Sequence, residues 1–356
     1  MKYKITFLVL FVFCVSTAFS FEKTERLNLS ADGIVFSSAS LAGAELGFLE
    51  REVSYQNGDT ELAALMLIPE GKGPFPAAVL IQGSGDSDRS NQWARLIAEF
   101  LANHDIASLL TDKRGCGKSG GDWHTAGFDV LAADTLAGVE YLKTQKEILA
   151  DGVGVIGLSQ GGFYAPLVGT MSNDVAFVIS VSGAAVTPLE QVNHEMANTF
   201  RQAGLDDSGV AASMRLQNLA GQYVRTGDWT TYKNNLQDAM ASPLRPIAEN
   251  FPQTQDSWVW AWWEKIGAYD PITYWKLLKQ PALILFGEED EFDNVPVKES
   301  IVRLENSFTG IKKDITIRVY PGSGHGLFEP GTETRRLREE AFQLLTSWVL
   351  KRTTRR

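Results

Sequence analysis

Cysteine is scarce in this chain: there are two in 356 residues. That is too few for a disulfide framework or a cysteine-rich zinc module. Four histidines leave little material for a histidine-rich metal site. Basic residues are outnumbered 33 to 43, for a net charge of -10. Generic nucleic-acid binding is therefore excluded as a reading, because phosphate affinity requires a basic footprint. No internal repeat is present, and the 44% hydrophobic and 21% charged composition excludes global disorder and low-complexity scaffolds.

Long hydrophobic runs are also missing, with one short exception. Lys2 and Lys4 precede the apolar stretch Ile5 to Val15, and Ala18 and Ser20 supply small residues at -3 and -1 of a cleavage site after Ser20. A basic start, a short apolar core and small residues describe a secretory signal. The run falls short of the roughly 20 residues of a spanning helix, so no stable membrane insertion is expected after cleavage. Cys14 follows Phe13, where a lipoprotein signal needs a small residue. Removing residues 1–20 leaves Cys116 as the single cysteine and hence no internal disulfide. The expectation is export to a bacterial periplasm or exterior.

Residues 21–50 are expected to form a lead-in to a domain over 51–350. Apolar runs on either side of Asn57-Gly58 predict a hairpin. Strands are expected at Ala77–Ile81, Ile106–Thr111, Val153–Gly157 and Val175–Ser182. They alternate with helices at Asn91–Asn103, Phe128–Thr144 and Gln160–Thr170. Near-continuous apolar strands alternating with helices imply a mostly parallel sheet covered on both faces. The alternation stops near Ala184 and resumes with strands at Pro281–Phe286 and Ile315–Tyr320, a helix at Val297–Leu304 and a final helix at Thr332–Leu350. The stretch of about 185–275 therefore reads as a helical cap inserted into one α/β domain.

The chemistry concentrates in Gly157-Leu158-Ser159-Gln160-Gly161. A G-x-S-x-G sequence directly after a strand and opening a helix is a nucleophile elbow, which projects Ser159 above the carboxyl edge of the sheet. A serine hydroxyl needs a base. His325, in the loop after the last strand, is that base, since loops at the carboxyl ends of strands collect the functional groups in such sheets. The acid that orients it follows the strand ending at Phe286; Asp290 is the choice and Asp293 the runner-up, giving the chain order Ser, Asp, His. Two backbone N–H groups must stabilise an oxyanion. Gln160 supplies one and Ser84, in Gln82-Gly83-Ser84-Gly85, the other. Three tryptophans of a cluster, Trp258, Trp260 and Trp262, are candidates for lining a substrate pocket or for fastening the cap to the core.

Three other matches fail. Asp112 stands where a phosphate loop ending Gly117-Lys118-Ser119 needs glycine, Gly152 to Gly157 lies within its strand instead of following it, and Asn198 replaces the second ligand of an H-E-x-x-H zinc site beginning at His194.

Together with Pro74-Phe75-Pro76 and Asp112-Lys113-Arg114-Gly115-Cys116-Gly117-Lys118-Ser119, these motifs make the chain resemble the serine-hydrolase branch of the α/β-hydrolase superfamily over about residues 50–350. It is most similar there to bacterial carboxylesterases. The resemblance implies an α/β-hydrolase fold, a small ester substrate and no metal or organic cofactor. Members usually carry His where this chain has Gln82, which bears on loop geometry. They use the stretch from Asp112 to Ser119 structurally. A serine peptidase or a thioesterase of the same fold stays open, as does a non-catalytic ligand-binding relative, although a binder has no need of an intact Ser, Asp, His order.

Overall fold

The computed structural model describes residues 47–330 and 336–353. The expected signal segment, and the lead-in up to residue 46, lie outside the described residues. β1 (Phe48–Asn57) begins within the segment taken as lead-in and pairs antiparallel with β2 (Thr60–Pro69). Asn57 pairs with Thr60, so the two turn residues are Gly58 and Asp59, not Asn57 and Gly58. Gly58 has φ +56°. A glycine at the first central position suits a II′ turn, whose twist matches that of the strands.

The remaining strands are β3 (Phe75–Ile81), β4 (Ala107–Thr111), β5 (Ile148–Leu158), β6 (Val178–Val181), β7 (Ala282–Gly287) and β8 (Ile315–Tyr320). One eight-stranded sheet runs β1-β2-β4-β3-β5-β6-β7-β8, parallel from β4 to β8. Alternate side chains of each strand enter different cores. From β3, Ala77, Val79 and Ile81 join one core, and Ala78 and Leu80 the other. This double burial is why β3 reads as an unbroken apolar run.

Helix α1 (Gln92–Ala102) starts at Asn91, whose side chain caps Ala94 N–H. Helices α2 (Phe128–Lys143) and α3 (Gln160–Met171) cover the opposite face. Between β6 and β7 the chain makes α4 (Pro188–Gln202), α5 (Asp207–Thr226), α6 (Trp229–Met240), α7 (Arg245–Ala248), α8 (Trp258–Ile266) and α9 (Pro271–Leu277). Thr187 and Glu190 close a reciprocal capping box at the start of α4, satisfying two otherwise orphan N–H groups. α10 (Val297–Phe308) follows β7, and α11 (Glu339–Thr353) packs beside α1.

The last helix begins at Glu339, and residues 332–335 of its expected span lie outside the described residues. Phe328 bridges Leu337, Glu329 N–H donates to Arg336 O, and Arg338 N–H donates to Leu327 O. These pairings commit the backbone of 336–338 to the preceding loop before the helix begins.

The connection leaving β3 runs through α1 to β4, on one side. The connection leaving β5 runs through α3 to β6, on the other. The carboxyl ends of β3 and β5 therefore flank a crevice where the connections part, the general ligand position in open α/β sheets. Ser84 and Ser159 follow those two strands.

Candidate active site

Ser159 sits between β5 and α3 at φ +51°, ψ −117°, a conformation that costs a side-chain-bearing residue about 1–3 kcal/mol. The turn is tight enough to demand glycine on both sides. A Cβ on Gly157 would lie 2.3 Å from Gly161 O, and one on Gly161 would lie 2.4 Å from Ile81 O. Val181 O accepts from Ser159 N–H at 3.0 Å, and Ser159 O accepts from Gly162 N–H at 2.8 Å, which holds the strained residue at both ends. Gln160 is the first residue of α3, so its N–H has no intrahelical acceptor and lies at the positive end of the helix dipole.

Ser159 Oγ is 2.8 Å from His325 Nε2, and His325 Nδ1 is 2.8 Å from Asp290 Oδ2. Facing an ionised carboxylate, Nδ1 carries the ring proton and leaves Nε2 to accept from the hydroxyl. Asp290 is fully buried in a 3₁₀ turn over Glu288–Phe292, and its second oxygen accepts from Asn294 N–H at 3.3 Å. The two loops are tied together by Glu289 N–H donating to Ser323 O at 3.0 Å. Arg338 braces the histidine loop through Pro321 O at 2.6 Å and Ser323 Oγ at 3.1 Å. Trp93 of α1 packs its ring 5.7 Å from the imidazole. Burial of His325 opposes protonation, but the charge and hydrogen bond of Asp290 outweigh it, with Glu195 and Asp293 adding, and the pKa rises above the ordinary histidine value. Asp293 makes no hydrogen bond to the imidazole. Burial and the neighbouring Asp290 raise its own pKa.

Beside Ser159 lies a cavity lined by Ser84, Gln160 and His325 and roofed by the cap. The tryptophan expectation needs correction here. Trp262 lines the cavity, together with Trp263 and Ile266 of α8. Trp260 is turned into the cap, edge-on to Tyr223 and Tyr232, with its Nε1–H donating to Thr254 O at 2.9 Å. Trp258 is 39% exposed and sets its ring edge-on to His124, with 4.0 Å between the ring centres. Trp260, two residues before Trp262, points to nearly the opposite side of α8, whereas 262, 263 and 266 share one; Trp258 lies on the side of Trp262 but one turn earlier, at the first residue of the helix and against His124. Helical spacing was the available signal for Trp263 and Ile266. Gln191 and Val192 of α4, which also line the cavity, had none.

The other histidines serve local structure. His104 meets Phe100 O at 2.7 Å and His124 meets Asp122 Oδ1 at 2.7 Å. His194 belongs to a stripe on α4. Gln191 donates to Asn294 O, His194 to Glu291 O, Asn198 to Glu291 O and Asp293 O, and Gln202 to Phe292 O, all within 2.8–3.2 Å. Four side chains of the cap thus grip four successive carbonyls of the loop that carries Asp290. Asp112, the residue that spoils the phosphate-loop match, is a buried hub. Its carboxylate accepts from Arg89 N–H, Nε and Nη2 and from Lys118 N–H. Gln82 donates to Thr111 O and Asp88 O and accepts from Ser87 Oγ, so it pins the loop after β3. Among the described residues no group of three or more His, Cys, Asp or Glu is arranged to hold a metal ion, and no helix is long and apolar enough to cross a membrane.

A strained serine on a strand-to-helix turn, in line with a histidine and a buried carboxylate above a mostly parallel eight-stranded sheet, defines a class of protein. Residues 78–337 match the family model described as "Alpha/beta hydrolase family", and the chain belongs to that family. The esterase EstD of Thermotoga maritima is 28% identical over 181 residues, which span 49% of this chain and 43% of that protein. The chain thus matches less than half the length of this curated relative. Among solved structures, an esterase of Pyrococcus furiosus aligns with a TM-score of 0.56 at 19% identity, covering 86% of this chain and 92% of that one. DcsB, solved with its substrate analogue, aligns with a TM-score of 0.57 at 15% identity, covering 86% of this chain and 100% of that one. These structures share the fold.

Proposed function

We propose that this protein is a serine-dependent hydrolase of carboxylic esters, acting on small substrates through an acyl-enzyme. The observation that carries the reading is the row Asp290–His325–Ser159, with both links at 2.8 Å, opening into a mainly apolar cavity. Ser159 Oγ attacks the ester carbonyl while His325 Nε2 takes its proton. The tetrahedral oxyanion is held by the N–H groups of Ser84 and Gln160. His325 then returns the proton to the departing alcohol, and the C–O bond breaks to leave the acyl group on Ser159. Water enters, gives its proton to His325 and attacks the acyl carbon. The acid departs as Ser159 regains its proton. Asp290 keeps the imidazole in the right tautomer and offsets its charge while it is protonated. Each step uses the chain's own groups. The esterases named above support the ester preference, and residues 1–20 support action after export.

A panel of p-nitrophenyl esters, aminoacyl anilides and acyl thioesters, run with wild type and Ser159→Ala, tests this reading. Esters should be cleaved fastest, and only by wild type. Anilide cleavage without ester cleavage would make the protein a peptidase, and a thioester preference would make it a thioesterase. Equal activity in Ser159→Ala would remove the nucleophile.

A further inference from the structure

Lys113 is buried and belongs to the glycine-rich stretch that the mechanism above leaves unused. It follows β4, yet its ammonium reaches the loop after β3. There Nζ donates to Gly83 O and, at 2.7 Å, to Gly85 O. The two carbonyls flank Ser84. Burial brings the Lys113 pKa down to about 8, so holding an ammonium here works against desolvation. Trp123, 5.6 Å below the ammonium, offers its ring face, and its Nε1–H donates to Asp86.

A trans peptide points its C=O and N–H in opposite directions, and among the described residues the one cis bond is Gly73–Pro74. Fixing Gly83 O therefore fixes Ser84 N–H, which belongs to the same peptide plane, on the side away from Lys113. Ser84 lines the cavity with Ser159 and His325, while Lys113 is not among the lining residues. A methyl placed on Gly83 would lie 3.5 Å from Ser159 Cβ, so the plane in question is next to the serine. Two converging carbonyls need one donor head with several protons, and an ammonium has three.

We propose that Lys113 is a positioning residue for the oxyanion site: by holding Gly83 O and Gly85 O it aims the Ser84 N–H at the oxygen that becomes charged. The proposal rests on the esterase reading for its kinetic consequence and on geometry for its structural one, and the two can be tested apart. Lys113→Met keeps the length and apolar stem. With a p-nitrophenyl ester, kcat should fall about 10²-fold, the typical effect of losing one oxyanion donor, while KM stays nearly unchanged because the ground-state carbonyl uses that donor less. Hydrogen exchange is the second readout. The amide of residue 113, which donates to Ser87 O at 3.0 Å and so ties the loop down, should lose protection in Lys113→Met, while those of α3 and the sheet keep theirs. If Lys113→Met does not fold, Lys113→Gln, which keeps donors for one carbonyl, should show both effects in weaker form. Wild-type kcat in a folded variant, or unchanged protection of the residue 113 amide, would overturn the proposal. If Ser159→Ala instead retains full activity, the esterase reading falls and the exchange measurement still judges the role of Lys113 in the loop.

Discussion

Asp290→Asn tests the row of three side chains most sharply, because it removes a charge and leaves the volume alone. In the wild type the buried Asp290 accepts through Oδ2 from His325 Nδ1 at 2.8 Å. An asparagine whose Nδ2 takes that place requires Nδ1 to become the acceptor. The ring proton then moves to Nε2, which can no longer take the proton of Ser159. The effect of this wrong tautomer in a serine, histidine and aspartate row is about 10⁴-fold in kcat, or about 5.5 kcal/mol of barrier. The side chain that replaces Asp290 is neutral and isosteric, so the melting transition should remain cooperative. Stopped-flow release of p-nitrophenol measures acylation directly, and a thermal melt followed by circular dichroism checks the fold. Asp293→Asn is the control, since its carboxylate stands outside the row, and its acylation rate should match wild type. The reasoning is refuted if Asp290→Asn retains more than about a tenth of wild-type kcat, or if Asp293→Asn loses as much as Asp290→Asn does.

The pH profile should follow from the raised pKa of His325. The base must be neutral, so kcat/KM should fall as pH drops through a midpoint above the ordinary histidine value. The linked stability runs the other way: the charged imidazolium beside Asp290 contributes fully below the unfolded-state pKa and is lost as pH rises through the folded one. Chemical denaturation across that window checks the sign. Trp263→Ala removes a ring from the cavity wall and should raise the kcat/KM of long acyl esters relative to acetate, at a stability cost of about 3–5 kcal/mol measured by urea unfolding. Arg89→Met leaves the buried carboxylate of Asp112 without its guanidinium. It should lower stability by about 3–5 kcal/mol, and the same unfolding assay reads it.

Most of the sheet was legible because strands buried on both faces write themselves as apolar runs, and β8 runs over Ile315–Tyr320 as read. Turn chemistry was less legible. Asn-Gly pointed to the hairpin, but the side-chain register of β1 and β2 placed its centre one residue later. The late start of α11 was hidden because what delays it is pairing with Leu327–Glu329, a tertiary contact. At the site, the elbow has a local signature in Gly157–Gly161. Asp290 and His325 lie 35 residues apart and could be selected only from the order of strands and loops. Their side chains and that of Ser159 stand in one hydrogen-bonded row. Of the clustered tryptophans, helical phase separates Trp260 from Trp262, whereas Trp258 shares the side of Trp262 and is kept from the cavity by its place at the start of α8. Lys113 stood in a motif expected to be structural, but its partners were not readable, since they lie about 30 residues upstream and are main-chain carbonyls.

The stripe of Gln191, His194, Asn198 and Gln202 on the loop of Asp290 has a consequence for how this protein can change. The helices that shape the cavity wall also act as scaffolding for the acid. An engineer who exchanges residues 185–275 for a foreign cap, to alter what the cavity admits, removes the supports of Glu291 O through Asn294 O in the same stroke. On the proposed esterase reading, substrate preference and the poise of the histidine are inherited together, and a transplant should succeed only if the new first helix brings donors at the same four positions.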